Sequence, residues 1–90
     1  MTWRVELSEQ ASRQIKRLDK AQQGRIDRFP AERISTEEDP RRFGRPLQGK
    51  LAGLWRYRIG DYRLISRIED ERCVVLALAV GHRREVYRGE

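Results

Sequence analysis

The chain has 90 residues, of which 38% are hydrophobic and 38% are charged, and it carries a net charge of +6. This length predicts a single domain over residues 1–90 with a modest core, and the apolar content excludes an intrinsically disordered chain. No apolar run approaches the length of a membrane span, and residues 1–10 lack the apolar region of a signal peptide. We therefore expect a cytoplasmic protein that has no contact with a membrane.

A strand followed by a helix opens the chain. Trp3, Val5 and Leu7 alternate along the sequence, which indicates a strand with one apolar face. Ser8 is a suitable N-cap, and the apolar spacing that follows it predicts a first helix running to about Asp19.

A second helix, a loop and three further strands complete the predicted order βααβββ. The helical pattern at residues 26–34 contains Pro30, which should kink or split the helix near Phe29. The segment EEDPRRFGRPLQGKLAG is rich in Pro and Gly, so it is predicted to form a loop. Three strands separated by two-residue turns at Gly60-Asp61 and Asp70-Glu71 follow, at about residues 54–59, 62–69 and 72–80.

The sequence offers neither a disulfide nor a metal site. Cys73 is the only cysteine, and its apolar surroundings in CVVLALAV predict a buried, unreactive thiol. His82 is the only histidine, so the chain lacks the number and spacing of ligands that a metal ion needs. There is also no Gly-rich phosphate loop and no nucleophile elbow. We therefore expect no metal and no cofactor.

The positive charge is concentrated in one segment. Residues 1–40 hold eight basic and eight acidic residues, and residues 64–90 hold five of each. Residues 41–63 hold seven basic residues against Asp61 alone, so the whole excess lies there. Such a field favours a polyanion, and nucleic acid is the commonest one in the cytoplasm. A solvated basic surface that maintains solubility is the alternative.

The hairpin LWRYRIGDYRL predicts where three of these arginines lie. With Gly60-Asp61 as a two-residue turn, Arg58 lies opposite Arg63, and Arg56 shares their face. The other face carries residues suited to a core: Trp55, Tyr57, Ile59, Tyr62 and Leu64. Directly opposed arginines repel each other, and an anion bound between them would remove that cost. The pattern favours an anion site, with neutralisation by Asp or Glu as the alternative.

The order of elements and two sequence blocks resemble a known family. The blocks GRPLQGKLAGLWRYRIGDYRLISRI and VGHRREVY look like the RelE branch of the RelE/ParE toxins of bacterial type II toxin–antitoxin modules. The resemblance implies an α+β fold, in which two N-terminal helices pack on one face of a small antiparallel-rich sheet. It also implies a ribosome-dependent endoribonuclease that cuts mRNA in the ribosomal A site and inhibits translation and growth. A cognate RelB-like antitoxin would neutralise the toxin in a hetero-oligomer.

The resemblance also implies the site residues. In the family, basic residues on the sheet and a C-terminal Arg and Tyr form the active site, and by position these are Arg56, Arg58, Arg63, Arg83 and Tyr87. The neighbouring basic residues are expected to bind RNA or the ribosome: Arg41, Arg42, Arg45 and Lys50, together with His82.

The implied reaction needs proton transfer as well as charge stabilisation. The ribose 2′-hydroxyl attacks the adjacent phosphorus and the 5′-oxygen leaves, and fixed guanidinium groups suit the charge that develops on the phosphoryl oxygens. The best-known family pattern has two lysines where this chain has Arg56 and Arg58, and an arginine does not easily act as a general base. Tyr87 is therefore favoured for proton transfer, with His82 as the alternative.

Two other functions stay open on the sequence alone. A ParE-like inhibitor of DNA gyrase would share the fold and perform no chemistry, but it would not require Arg83 and Tyr87 together after the last strand. A nucleic-acid-binding relative without activity is the other. The sequence does not locate the antitoxin surface, for which the first helix, with Ile15 and Leu18, and the loop around Phe43 are candidates.

Overall fold

The computed structural model of the chain describes residues 2–35 and 38–82. Five strands form one sheet in the spatial order β1-β5-β4-β3-β2, and neighbouring strands are antiparallel except β1 and β5, which run parallel. The strands are β1 (Arg4–Leu7), β2 (Arg45–Pro46), β3 (Trp55–Ile59), β4 (Tyr62–Glu69) and β5 (Val74–His82). The predicted α+β fold with an antiparallel-rich sheet is confirmed.

Two capped helices connect β1 to the rest of the sheet. Helix α1 (Glu9–Lys16) begins after Ser8, whose Oγ accepts a hydrogen bond from the Ala11 backbone N–H at 3.0 Å. Helix α2 (Lys20–Phe29) begins after Asp19, whose carboxylate accepts a hydrogen bond from the Gln22 N–H at 2.9 Å. The predicted helix break is confirmed, because α2 ends at Phe29 and a π-helical turn (Pro30–Ile34) follows.

Both helices pack on one face of the sheet. Ala11 and Ile15 of α1 and Ile26 and Phe29 of α2 are buried in the hydrophobic core. The sheet contributes Tyr57, Ile59, Leu64, Val75, Ala77 and Val80. Burial of each large apolar side chain contributes about 1.5–3 kcal/mol, which holds the helices against the sheet. Since Ile15 is only 8% exposed, it is unavailable for the partner surface that the sequence suggested.

The predicted register of the β3–β4 hairpin is confirmed. Arg58 pairs with Arg63, and Tyr57 pairs with Leu64 on the core side. The turn depends on Gly60, whose φ of 61° lies in the left-handed region that favours glycine.

The structure corrects three sequence-based expectations. The loop before β3 contains a two-residue strand, β2, because Arg45 and Pro46 pair with the first two residues of β3. The β4–β5 connection is a 3₁₀ turn (Asp70–Arg72) rather than a two-residue turn, and β5 therefore begins at Val74. Cys73 ends this turn with a φ of 52°, and its side chain is half-buried rather than buried. No helix among the described residues is long and apolar enough to cross a membrane.

Candidate functional site

Four arginines lie together on the sheet face opposite the helices. Arg45 of β2 pairs with Arg56 of β3, and Arg58 of β3 pairs with Arg63 of β4. Paired residues point to the same side of a sheet and faces alternate along a strand, so the four side chains share one face. We call Arg45, Arg56, Arg58 and Arg63 the arginine face. One pairing between β2 and β3 and one between β3 and β4 thus place like charges directly opposite each other, which destabilises a sheet unless an anion lies between them.

An open cleft of about 410 Å³ runs beside this face. Its lining consists of Arg42, Phe43, Gly44, Arg45, Arg56 and Arg58, and it is called the first cleft. The volume falls within the range of small-ligand sites, and the lining is cationic rather than apolar. A cleft of this composition suits a phosphate group more than an apolar ligand.

Tyr57 fixes the loop that forms one wall of the first cleft. Its side chain is fully buried and its hydroxyl donates a hydrogen bond to the Pro40 carbonyl at 2.9 Å. Burial raises the pKa of the Tyr57 hydroxyl, so the phenol remains a donor at neutral pH. A Cβ at Gly44 would lie 3.0 Å from the Tyr57 ring and 3.1 Å from the Arg56 carbonyl oxygen. The loop therefore needs glycine at residue 44 to approach the sheet closely.

Arg63 differs from the other arginines in its burial. It is 6% exposed, and its Nη1 donates hydrogen bonds to the carbonyls of Gly60 and Tyr62 at 3.3 and 3.1 Å. Its Nε is buried and has no hydrogen-bond partner among the described residues. The sequence predicted the position of Arg63 on the face but not this burial or its hydrogen bonds to the turn.

The same sheet face is neutralised at its other end. Glu6 accepts hydrogen bonds from Arg72 and Arg4, and Glu69 contacts Arg72 and Arg67. The hydrogen bond from Arg72, and that from Arg4, hold the pKa of Glu6 below its ordinary value.

Three members of the arginine face have no such acidic partner in the described part of the chain. Within residues 2–35 and 38–82, no Asp or Glu forms an ion pair with Arg45, Arg58 or Arg63. The positive field of the sheet therefore concentrates at the hairpin end.

Arg41, one of the predicted RNA-binding residues, forms ion pairs with Asp39 and Asp70. Two of its guanidinium nitrogens donate to the Asp70 carboxylate at 2.9 and 2.8 Å, and one also reaches Asp39 at 3.2 Å. Its guanidinium also lies 5.8 Å from the centre of the Trp55 ring. The hydrogen bond to Asp70 raises the pKa of Arg41 and lowers that of Asp70. Arg41 therefore links the loop to the β4–β5 turn.

The other predicted RNA-binding residues are divided between two sides of the molecule. Arg42 lines the first cleft and forms an i,i+4 ion pair with Glu38 at 2.8 Å. Lys50 is exposed on the 3₁₀ turn Gly49–Leu51 and does not line the first cleft. His82 pairs with Tyr62 on the helix-covered side, where the two rings meet edge to face with centroids 5.7 Å apart. The sheet therefore separates His82 from the arginine face.

Arg83 and Tyr87 lie outside the described residues. In the part of the chain that the structure describes, no group of three or more His, Cys, Asp or Glu side chains could hold a metal ion.

Sequence reasoning missed three basic residues near Arg58, namely Arg25, Arg28 and Arg33. Counting charge by segment hid them, because residues 1–40 are neutral in sum. The signal that could have identified them is the three-residue spacing of Arg25 and Arg28, which places both on one surface of a helix.

Comparisons with known proteins identify the class. The family described as "ParE toxin of type II toxin-antitoxin system, parDE" matches residues 5–87, so this chain belongs to that family. It is a type II toxin of the RelE/ParE superfamily, as its sequence blocks predicted.

Individual relatives carry Rel names. The chain is 48% identical to Toxin RelG of Mycobacterium tuberculosis over 50 residues, which is 56% of this chain and 58% of RelG. The matched stretch thus spans little more than half of that relative's length. A chain of the toxin–antitoxin complex RelBE2 of Mycobacterium tuberculosis superposes with a TM-score of 0.82 and 35% identity, covering 92% of this chain and 100% of that one. The RelE–RelB complex of Pyrococcus horikoshii gives a TM-score of 0.69 and 27% identity, covering 94% and 99%.

Proposed function

We propose that this toxin is a metal-independent endoribonuclease that cuts mRNA in the ribosomal A site and so inhibits translation. One observation carries the proposal. Arg58 of β3 lies directly opposite Arg63 of β4, and Arg45 of β2 lies opposite Arg56 of β3, on the sheet face away from the helices. Such an arrangement is costly in a purely structural sheet, and RNA phosphate would remove the cost.

The arginines would act on the charge that develops at phosphorus. The ribose 2′-oxygen attacks the adjacent phosphorus, the bond from phosphorus to the 5′-oxygen breaks, and a 2′,3′-cyclic phosphate and a 5′-hydroxyl result. Negative charge grows on the phosphoryl oxygens as the new bond forms. Guanidinium groups placed around the phosphate would stabilise that charge, and this is the role we assign to Arg56, Arg58, Arg63 and Arg83.

Two proton transfers complete the reaction. A proton leaves the 2′-hydroxyl and another reaches the departing 5′-oxygen. Arginine keeps its proton at any physiological pH, and His82 lies on the opposite side of the sheet from Arg58, so we assign proton transfer to Tyr87. Replacing Tyr87 with Phe should lower the single-turnover rate by roughly 10²-fold while ribosome binding is kept. A Tyr87→Phe variant that cuts bound mRNA at the wild-type rate would contradict this role.

A RelB-like antitoxin is the proposed partner in the cytoplasm. The chains that superpose on this one come from the toxin–antitoxin complex RelBE2 and from a RelE–RelB complex. Ribosomes are the second partner, since they would hold the mRNA in the geometry for attack and so accelerate cleavage by orientation.

Translation in a cell-free extract tests the proposal. The purified chain should stop translation, and primer extension should show mRNA cut within the codon in the A site. Antitoxin added beforehand should prevent both effects.

The ParE name of the matching family supports a second candidate, inhibition of DNA gyrase. Loss of plasmid supercoiling by gyrase, with intact mRNA in the translation assay, would favour that candidate and contradict the ribonuclease. A chain that affects neither assay would contradict both and indicate an inactive nucleic-acid-binding relative.

A further inference from the structure

A second basic cleft lies on the other side of Arg58, between α2 and the β3–β4 hairpin. It has a volume of about 200 Å³, and four arginines and one acid line it: Arg25, Arg28, Arg33, Arg58 and Glu32. We call this the second cleft. Residues of α2, of the π-helical turn after it and of β3 form the second cleft, whereas the loop before β3 and the sheet form the first cleft.

Helix α2 brings its arginines to the hairpin turn. Arg25 and Arg28 are three residues apart, so their side chains lie on the same surface of the helix. The Arg25 Nη1 lies 2.9 Å from the position that a Cβ on Gly60 would take. The missing side chain at residue 60 therefore leaves room for the Arg25 guanidinium beside the turn that joins β3 to β4.

The two clefts are connected at two points. Arg58 lines both of them. The Phe43 ring, which lines the first cleft, lies 5.9 Å from the guanidinium of Arg33 and 6.0 Å from that of Arg42. Arg33 belongs to the second cleft and Arg42 to the first, so Phe43 is contacted by an arginine of each. The clefts form one continuous basic surface.

The acids of α2 do not neutralise the second cleft. Arg28 and Glu32 form an i,i+4 ion pair at 3.7 Å, and both side chains are more than 60% exposed, so the pair contributes little. Asp27 lies with Val5 and Leu7 beside a different, apolar groove. Among the described residues, neither Arg25 nor Arg33 forms an ion pair with an acid.

We infer that the second cleft binds the phosphate backbone of RNA, so that the RNA-binding surface extends from the arginine face onto α2. The inference rests on the proposed function, and it adds Arg25, Arg28 and Arg33 as phosphate-binding residues that take no part in the chemical step. The contacts are to phosphates and are therefore independent of base sequence.

Ribosome binding at several salt concentrations tests this inference. The variant is Arg25→Ala with Arg28→Ala, and the control is Arg13→Ala with Lys16→Ala, which removes the same charge from exposed positions on α1. Loss of two phosphate contacts should lower the slope of log affinity against log salt by about 1.4–1.8, whereas the control should match the wild type. The pair Arg25→Lys with Arg28→Lys keeps the charge and should restore most of the slope.

The outcomes separate this inference from the proposed function. Equal slopes for the α2 variant and the control would overturn the inference even if the wild type cuts mRNA. Loss of antitoxin affinity with unchanged ribosome binding would also overturn it, since the surface would then bind an acidic protein. A reduced slope in a chain that cuts no mRNA would support the inference and contradict the proposed function. A change confined to ribosomes that carry mRNA would identify the phosphates as those of mRNA, and a change with empty ribosomes would identify ribosomal RNA.

Discussion

Arg58 and Arg63, which pair across β3 and β4, differ in what they contribute to the stability of the fold. Arg58 is exposed, whereas Arg63 is 6% exposed and donates hydrogen bonds to the carbonyls of Gly60 and Tyr62. Removing Arg63 would break both hydrogen bonds, so its loss mixes folding with function. Arg58 makes no ion pair among the described residues and can be changed more cleanly.

We expect Arg58→Ala to stabilise the free toxin. The substitution removes repulsion from the directly opposed Arg63. The free energy of such a cross-strand pair corresponds to a rise in Tm of about 1–4 °C. Arg67→Ala is the control, because Arg67 lies on the same sheet face, in the neighbouring strand β4, but contacts Glu69 at 3.6 Å. Thermal unfolding of both variants in the absence of RNA measures the difference. A fall in Tm for Arg58→Ala would show that the opposed arginines are structurally favourable.

Tyr57→Phe tests how the loop wall of the first cleft is held. The ring should keep its edge contact with Phe29, whose centroid lies 5.4 Å away, while the hydrogen bond to the Pro40 carbonyl is lost. We expect the free energy of unfolding to fall by roughly 0.5–1.5 kcal/mol, the usual net contribution of one hydrogen bond. Urea denaturation measures this, with Tyr62→Phe as the half-buried control. Equal stability of the two variants would mean that the hydrogen bond does not hold the loop.

Among the elements, the loop before β3 is the one that the sequence described least well. Its Pro and Gly content predicted irregular structure, yet Arg45 and Pro46 pair with β3. A two-residue edge strand leaves no alternation in the sequence, so this pairing could not be read from a pattern. The bond from Tyr57 to Pro40 and the close approach of Gly44 depend on residues distant in sequence. In contrast, the N-cap residue Ser8 predicted where the first helix begins, and the spacing of residues around the turn predicted the register of the β3–β4 hairpin.

The link between this loop and the β4–β5 turn predicts a dependence of stability on pH. The hydrogen bond from Arg41 holds the pKa of Asp70 below its ordinary value of 3.8. A carboxyl group whose pKa is lower in the folded state stabilises the fold above its ordinary pKa, and that stabilisation is lost as the pH falls through the folded-state value.

Asp70→Asn should therefore be less stable than the wild type at neutral pH, and the difference should shrink in acid. Urea midpoints measured from neutral pH down to about pH 3 would show the two curves converging. Asp61→Asn is the matched control, since Asp61 is exposed in the other hairpin turn and makes no ion pair with any described residue. Parallel curves for Asp70→Asn and the wild type would show that the link does not contribute to stability.

At the scale of the whole molecule, folding separates charges that are mixed along the chain. Residues 1–40 are neutral in sum, yet α2 presents Arg25 and Arg28 to the second cleft and Asp27 to another surface. At the other end of the sheet, Glu6 forms an ion pair with Arg72, which lies 66 residues away in the sequence. Adding up the charge of each sequence segment therefore predicted a basic surface but not its extent. Helical spacing and strand pairing decide which charges become neighbours in the fold.

Cleavage of mRNA on purified ribosomes, with a defined codon in the A site, tests the central claim most directly. Wild-type toxin should cut in that codon in a single turnover. Arg58→Ala should lower the rate by roughly 10²-fold or more, the usual loss when one fixed donor to a developing negative charge is removed. Arg67→Ala should cut within about twofold of the wild type, because its charge belongs to the neutralised end of the face. Equal rates for Arg58→Ala and the wild type, or an equal loss in both variants, would contradict the assignment of the arginine face as the catalytic surface.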